Sequence, residues 1–270
     1  MILVKRTLAA LVLALIGIPA VIVGGIYYNL LIILLIGIAA WEYTRIFHAI
    51  DHNASTILVV GGVVAILLGR AYFPDVAAAV FALILLVAMA IHLIEYERGR
   101  DRAGSDFAVS VAGVAYLGWV GAYLIDLRAM PDGLWWFFLV LGAVWIADSA
   151  AYFVGVRFGK HLLSPRLSPK KTWEGYWGGV VFGTLGGAGL AVLWASLGGP
   201  VLPWWQGAAL GAVLSVVTTL GDLGESMFKR QAGLKDSSNI IPGHGGVLDR
   251  LDSWLWGGVL GYLLIAWFLL

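Results

Sequence analysis

The chain has no cysteine. Disulfides, a thiolate nucleophile and cysteine-ligated metals are therefore excluded. Charge is scarce as well. Only 12% of the 270 residues are Asp, Glu, Lys or Arg, against roughly 25% in an ordinary soluble domain. What charge there is nearly cancels, at a formal +1, so bulk charge names no partner and no nucleic acid is expected. There is no soluble domain between apolar runs, no low-complexity linker and no clear internal repeat. The apolar runs are unbroken and lack the alternation of barrel strands. No clear cleavage site follows "MILVKRTLAALVLALIGIPAVIVGG", which reads as a retained first span rather than a signal peptide.

What is present is apolar surface. Hydrophobic residues make up 61% of the chain and the mean hydropathy is +0.91. Folding alone could not keep that surface from water, so the chain reads as an all-α polytopic membrane protein. Segments near 7–25, 27–47, 55–73, 75–94, 105–125, 133–156, 175–197, 205–228 and 253–270 are long enough to be candidate spans, since a bilayer core takes roughly 20 residues. About nine transmembrane helices are expected. If the N-terminus is cytoplasmic and the C-terminus outside, every Lys and Arg except Arg70 and Arg128 falls on the inner side, as the positive-inside rule requires. Polar loops 157–174 and 229–252 then face the cytoplasm together. Residues 1–130 read as spans serving packing, dimer contact or lipid access. Residues 131–270 read as a catalytic membrane region carrying both loops. Small residues such as those of "GGVVFGTLGGAGLA" suit close helix packing.

Four stretches break the apolar pattern. In "ADSAAYFVGVRFGK" Asp148 lies inside a span, with Tyr152 on the same helical face. Intramembrane acids are costly and usually face a polar cavity, although a structural interhelical hydrogen bond would also hold one. In "SPRLSPKKTWEG" two Ser-Pro steps favour an extended, turn-rich backbone before Lys170, Lys171, Thr172 and Glu174. Adjacent lysines beside hydroxyls suit a polyphosphate. A plain positive-inside loop is the bland alternative. In "TTLGDLGESMFKR" Asp222, Glu225, Ser226 and Lys229 share one helical stripe beside Arg230. In "KDSSNIIPGHGGVLDRLD" Gly243, Gly245 and Gly246 surround His244, and Asp249 and Asp252 open the last span. Successive glycine amides can form an anion-binding nest. Carboxylates of this kind suit Mg²⁺ holding phosphates, and Lys and Arg suit the phosphates themselves. The residues point to Mg²⁺-dependent phosphoryl or nucleotidyl chemistry on a lipid at the cytoplasmic face. A transporter using Asp148 and Asp222 as an ion pathway is the rival class. It would favour two halves with interrupted spans, a pattern not found here.

The spacing Ser226-x-x-Lys229-Arg230, Lys235-Asp236-x-Ser238, Pro242-x-His244-Gly245-Gly246-x-x-Asp249-Arg250-x-Asp252 resembles the signature of the phosphatidate cytidylyltransferase (CDP-diacylglycerol synthase) family. The stretch "DSAAYFVGVRFGKHLLSPRLSPKKTWEG" is similar to its second hallmark. Ala150 and Val156 depart from that pattern, where the family usually has Gly and a basic residue. The likeness covers Ala147 to the end. It implies transfer of CMP from CTP to phosphatidic acid, with Mg²⁺, a potassium ion beside it, and a homodimer in the inner membrane with the site facing the cytoplasm. It implies Asp222 and Asp249 as metal ligands, with Lys229 and Asp148 completing the catalytic set. Lys170, Lys171, Lys229, Arg230 and Arg250 become phosphate partners. Ser168, Thr172, Ser226, Lys235, Asp236, His244, Gly245 and Gly246 complete the substrate-binding candidates. A polyprenol kinase or an archaeal-lipid cytidylyltransferase would share the chemistry and differ in acceptor.

Overall fold

The computed structural model describes residues 2–241, 243 and 245–269. Apolar runs with few breakers become helices: α1 (Ile2–Val23), α2 (Gly25–His48), α3 (Thr56–Tyr72), α4 (Ala77–Glu97), α5 (Ala103–Gly113), α6 (Tyr123–Ala129), α7 (Gly133–Phe158), α8 (Trp173–Ser196), α9 (Trp204–Gln231) and α10 (Leu248–Phe268). A π-helical stretch, Val114–Val120, carries α5 on towards α6.

Among the described residues seven segments are long and apolar enough to cross a membrane. They are Gly25–His48, Pro74–Glu97, Ala103–Ala129, Gly133–Phe158, Trp173–Ser196, Trp204–Gln231 and Leu248–Phe268. The chain is a multi-pass helical membrane protein. The remaining two expected spans correspond to shorter apolar helices, Leu13–Val23 and Thr56–Tyr72. At ~1.5 Å per residue, the 17 residues of α3 reach about 25 Å, less than a ~30 Å hydrocarbon core.

The fold is not purely helical. Between α7 and α8 the chain forms an antiparallel hairpin, β1 (Leu162–Ser164) with β2 (Ser168–Thr172), in the register Leu162↔Thr172 and Ser164↔Ser168. The sequence reading made this a turn-rich loop. The Ser-Pro steps do hold the backbone extended, and the second of them lies inside β2.

The chain divides into two compact units. One comprises Met1–Asp126 with Phe228–Leu251, and the other Leu127–Met227 with Asp252–Leu270. The polar segment after α9 thus folds with the N-terminal helices. Within that unit Phe228 seats its ring against Tyr43 and Phe47, at centroid distances of 5.8 and 5.5 Å. The Tyr43 hydroxyl donates to Val109 O at 3.0 Å, and that of Tyr28 to Leu124 O at 2.8 Å. Fully buried Asp106 accepts from Arg100 Nε at 2.8 Å, and His52 Nδ1 lies 3.1 Å from its other oxygen. Hydrogen bonds to Asp106 and Asp51 raise the Arg100 guanidinium above its ordinary pKa.

In the second unit small residues set the packing. The buried positions of α8 are Gly175, Gly179, Gly183, Gly187 and Ala191, one every fourth residue and so one stripe. A Cβ on Gly175 would lie 2.6 Å from Ala151 O, and one on Gly179 2.9 Å from Ala147 O, both on α7. Further along, Gly183 and Gly187 abut Ser215, Gly207 and Gly211 of α9. Larger side chains would hold these backbones apart.

Candidate active site

The polar residues singled out by spacing gather in two clusters, one in each unit. In the second unit β2 delivers Lys171, whose ammonium pairs with Asp222 Oδ2 of α9. Ser226 Oγ, one turn on, lies 3.4 Å from Asp222 Oδ1. Asp148 of α7 and Asp252 of α10 lie within electrostatic reach of both Lys171 and Asp222. The approach of α9 to α10 is close, because a Cβ on Gly221 would lie 2.6 Å from Asp252 O. Three carboxylates from three helices therefore lie in the field of one lysine, which pairs directly with Asp222. When ionised they leave two negative charges unbalanced, which is the charge of one divalent cation. No group of three His, Asp or Glu at metal-holding spacing is present among the described residues. The fit to Mg²⁺ rests on donor chemistry and charge.

The hairpin separates the two lysines. Successive strand residues point to opposite faces, so Lys171 reaches Asp222 while Lys170 stays exposed. Ser168 pairs in register with Ser164. Thr172 is the N-cap of α8, its Oγ1 accepting from Gly175 N at 3.2 Å. Glu174 accepts from the backbone amides of Lys160 and His161 at 3.0 and 3.2 Å, and contacts His161 Nδ1 at 2.5 Å. It thereby ties the entry of the hairpin to the start of α8. Tyr152, expected on the face of Asp148, is exposed and stacks edgewise on Phe153.

In the first unit Asp249 is the hub. Lys229 Nζ donates to its Oδ1 at 2.5 Å. Its Oδ2 accepts from Ser237 N at 2.9 Å, Ser237 Oγ at 2.8 Å and Gly246 N at 2.8 Å. The Lys229 and Asp249 side chains are only 10% and 5% exposed. The end of α9 positions Lys229. There Gly233 adopts φ 67°, Leu234 N donates to Lys229 O at 2.8 Å and Gly233 N to Arg230 O at 3.1 Å, a Schellman closure. Arg230 Nη1 donates to Leu234 O at 3.0 Å. Gly245 has φ 85°, and a Cβ there would lie 2.7 Å from Asp249 Oδ2, so glycine is required on both counts. Lys235, Asp236 and Arg250 are exposed. His244, the imidazole among the glycines, and Pro242 lie outside the described residues.

Asp222 and Asp249 belong to different units, and each has its own lysine. Two further acids matter more than their spacing suggested. Asp252 joins the cluster around Lys171. Glu42 of α2, in the half of the chain that read as generic spans, is fully buried and reaches the Asp249 segment. It accepts from Ser238 Oγ at 2.5 Å, Val247 N at 3.0 Å and Leu248 N at 2.7 Å, and Ser237 Oγ lies 3.2 Å away. An acid near the end of a span, in "WEYTR", was the available signal.

A model of the cytidylyltransferase family matches residues 4–268. The chain belongs to the cytidylyltransferase family. It is 37% identical to the phosphatidate cytidylyltransferase of Pseudomonas aeruginosa over 254 residues, 92% of each chain. Similarity to the phosphatidate cytidylyltransferase of Bacillus subtilis is 32% identity over 277 residues, 98% of each chain. The enzyme of that name from Synechocystis is 31% identical over 295 residues, 97% of this chain and 96% of its own. Membership thus extends through the N-terminal spans, beyond the C-terminal half that carried the resemblance.

Proposed function

We propose that this chain transfers CMP from CTP to phosphatidic acid, giving CDP-diacylglycerol and pyrophosphate. The observation that carries the reading is the convergence of Asp148, Asp222 and Asp252 on Lys171, in a chain matched almost end to end by phosphatidate cytidylyltransferases. The phosphate oxygen of the lipid attacks the α-phosphorus of CTP. The new P–O bond forms in line as the bond to the bridging α–β oxygen breaks, and pyrophosphate leaves. A phosphate monoester is already anionic, so little base assistance is needed. The difficulty is bringing two anions together. Lys171 and Lys229 are each held beside a carboxylate, so both cations are oriented before substrate arrives. Oriented charge of this kind favours the transition state without reorganisation. Exposed Lys170, Lys235 and Arg250 draw in the nucleotide phosphates. Asp222 and Asp249 are each candidate oxygen ligands for Mg²⁺, which when bound would draw charge off the phosphate oxygens. With no cysteine in the chain and no Ser-His pair in the site as described, direct displacement needs no covalent enzyme intermediate.

In the same reading the protein sits in the inner membrane with nine spans, N-terminus in and C-terminus out, and works as a homodimer with a potassium ion beside the Mg²⁺. The Lys and Arg distribution supports the orientation. The family pattern supports the dimer and the monovalent ion. The test is purified protein with labelled CTP and a panel of lipid phosphates, with and without EDTA. Chelator-sensitive label in CDP-diacylglycerol, with phosphatidic acid as the acceptor, is expected. Label in a polyprenol or an archaeal lipid instead, or none in any lipid, would overturn the assignment.

A further inference from the structure

Glu42 takes no part in any motif, yet it is completely buried. A buried carboxylate persists where donors surround it. Its donors are 196 to 206 residues away in the chain, and all lie on the segment that leads into Asp249. Glu42 Oε1 takes Ser238 Oγ and Val247 N, and Oε2 takes Leu248 N, while Ser237 Oγ lies 3.2 Å from Oε2 with its one proton directed to Asp249 Oδ2. Val247 immediately precedes α10 and Leu248 opens it, where amides have no partner within the helix. The same short segment also turns Ser237 N, Ser237 Oγ and Gly246 N onto Asp249 Oδ2. It is gripped from one side by Glu42 and grips Asp249 from the other. Gly246 sits in the grip, since a Cβ there would collide with Ser237 Oγ and Glu42 Oε1.

We infer that Glu42 is a positioning residue for the transfer reaction: by clamping Ser238, Val247 and Leu248 it fixes the Asp249 carboxylate in one orientation against Lys229. The inference rests on the proposed role of Asp249. It separates from mere stabilisation because an amide at position 42 keeps the shape but breaks the clamp. Each Glu42 oxygen faces a backbone N–H, Val247 on one and Leu248 on the other. Either orientation of a glutamine therefore sets NH₂ against a donor.

The experiment compares the wild-type chain, purified in detergent, with Glu42→Gln, Ser238→Ala and Asp106→Asn. Asp106 is an equally buried carboxylate of the same unit, held by Arg100 and His52. Three quantities are read: kcat and KM for CTP, the melting temperature, and amide exchange across residues 237–248. Supporting partners of functional carboxylates commonly cost about 10- to 100-fold when removed. Glu42→Gln is expected to lower kcat by that factor, with KM little changed and faster exchange across 237–248. Ser238→Ala should fall less, and adding it to Glu42→Gln should add nothing, since the two act through one contact. Asp106→Asn should melt earlier with normal kcat per folded molecule and unchanged exchange in that segment. A Glu42→Gln protein with wild-type kcat and only a lowered melting temperature overturns the inference. If Glu42→Gln yields no folded protein, wild-type kcat and exchange in Ser238→Ala overturn it. A wild-type chain without turnover would defeat the functional reading instead. Exchange still decides the clamp in that case, and unchanged exchange in Glu42→Gln refutes it.

Discussion

At the scale of single residues, an acid at the end of a membrane helix stays ionised only where cations or donors meet it. Asp222 has Lys171, and Asp249 has Lys229 with two amides and a hydroxyl. Asparagine at either position keeps the shape, removes the charge and binds a hard cation less well. Loss of that charge is worth on the order of 10³-fold in rate. Asp222→Asn and Asp249→Asn are each expected to lose at least that much kcat, with yield and gel-filtration profile unchanged. Near-normal metal-dependent turnover in either protein would remove that residue from the site. Asp252 shares the Lys171 cluster at one remove, so Asp252→Asn should lose about 10- to 100-fold, as supporting residues do. Steady-state kinetics on folded protein would tell these apart.

At the scale of elements, the β1–β2 hairpin gives two adjacent lysines different work. Lys171 is spent on Asp222 inside the second unit, and Lys170 is exposed. Lys171→Ala is therefore expected to lower kcat and leave an unpaired aspartate. Lys170→Ala should chiefly raise KM for CTP, by a few-fold at most, because exposed charge is screened. Equal effects on both constants would mean that the pair acts as one loop anchor. The stripe of α8 is a packing device. Gly183→Leu must displace Ser215 and Ala147, and overpacking of this kind costs about 1–3 kcal/mol. A lower melting temperature in detergent is expected, while Leu at Gly189, with nothing within 4 Å, should leave it unchanged.

Across the whole molecule, legibility followed the range of the interaction. Apolar runs mark helices by themselves, so the expected spans fall on helical segments, seven of which are long and apolar enough to cross a membrane among the described residues. The polar stripe of α9 was readable because helical periodicity brings Asp222, Glu225, Ser226 and Lys229 onto one line, and Glu225, Ser226 and Lys229 are buried in the structure. The hairpin was missed because Ser-Pro steps signal extension without naming a pairing partner. Glu42 was missed for a stronger reason: its partners lie some 200 residues away, and nothing local in "WEYTR" indicates them. The same long-range pairing places residues 228–251 with the N-terminal unit. Topology is testable at this scale. Reporter fusions after residue 166 or 236 should report cytoplasm, and fusions at residue 200 or at the C-terminus the outside. A cytoplasmic C-terminus would change the number of spans by one.

The central claim is that CMP, and not a phosphoryl group, moves from CTP to the lipid. CTP labelled at the α-phosphate and CTP labelled at the γ-phosphate separate the two in parallel reactions of purified protein with phosphatidic acid. α-Label in the lipid product and γ-label in pyrophosphate, in equal amounts, are expected. Label from the γ-phosphate in the lipid, with CDP as the other product, would contradict it.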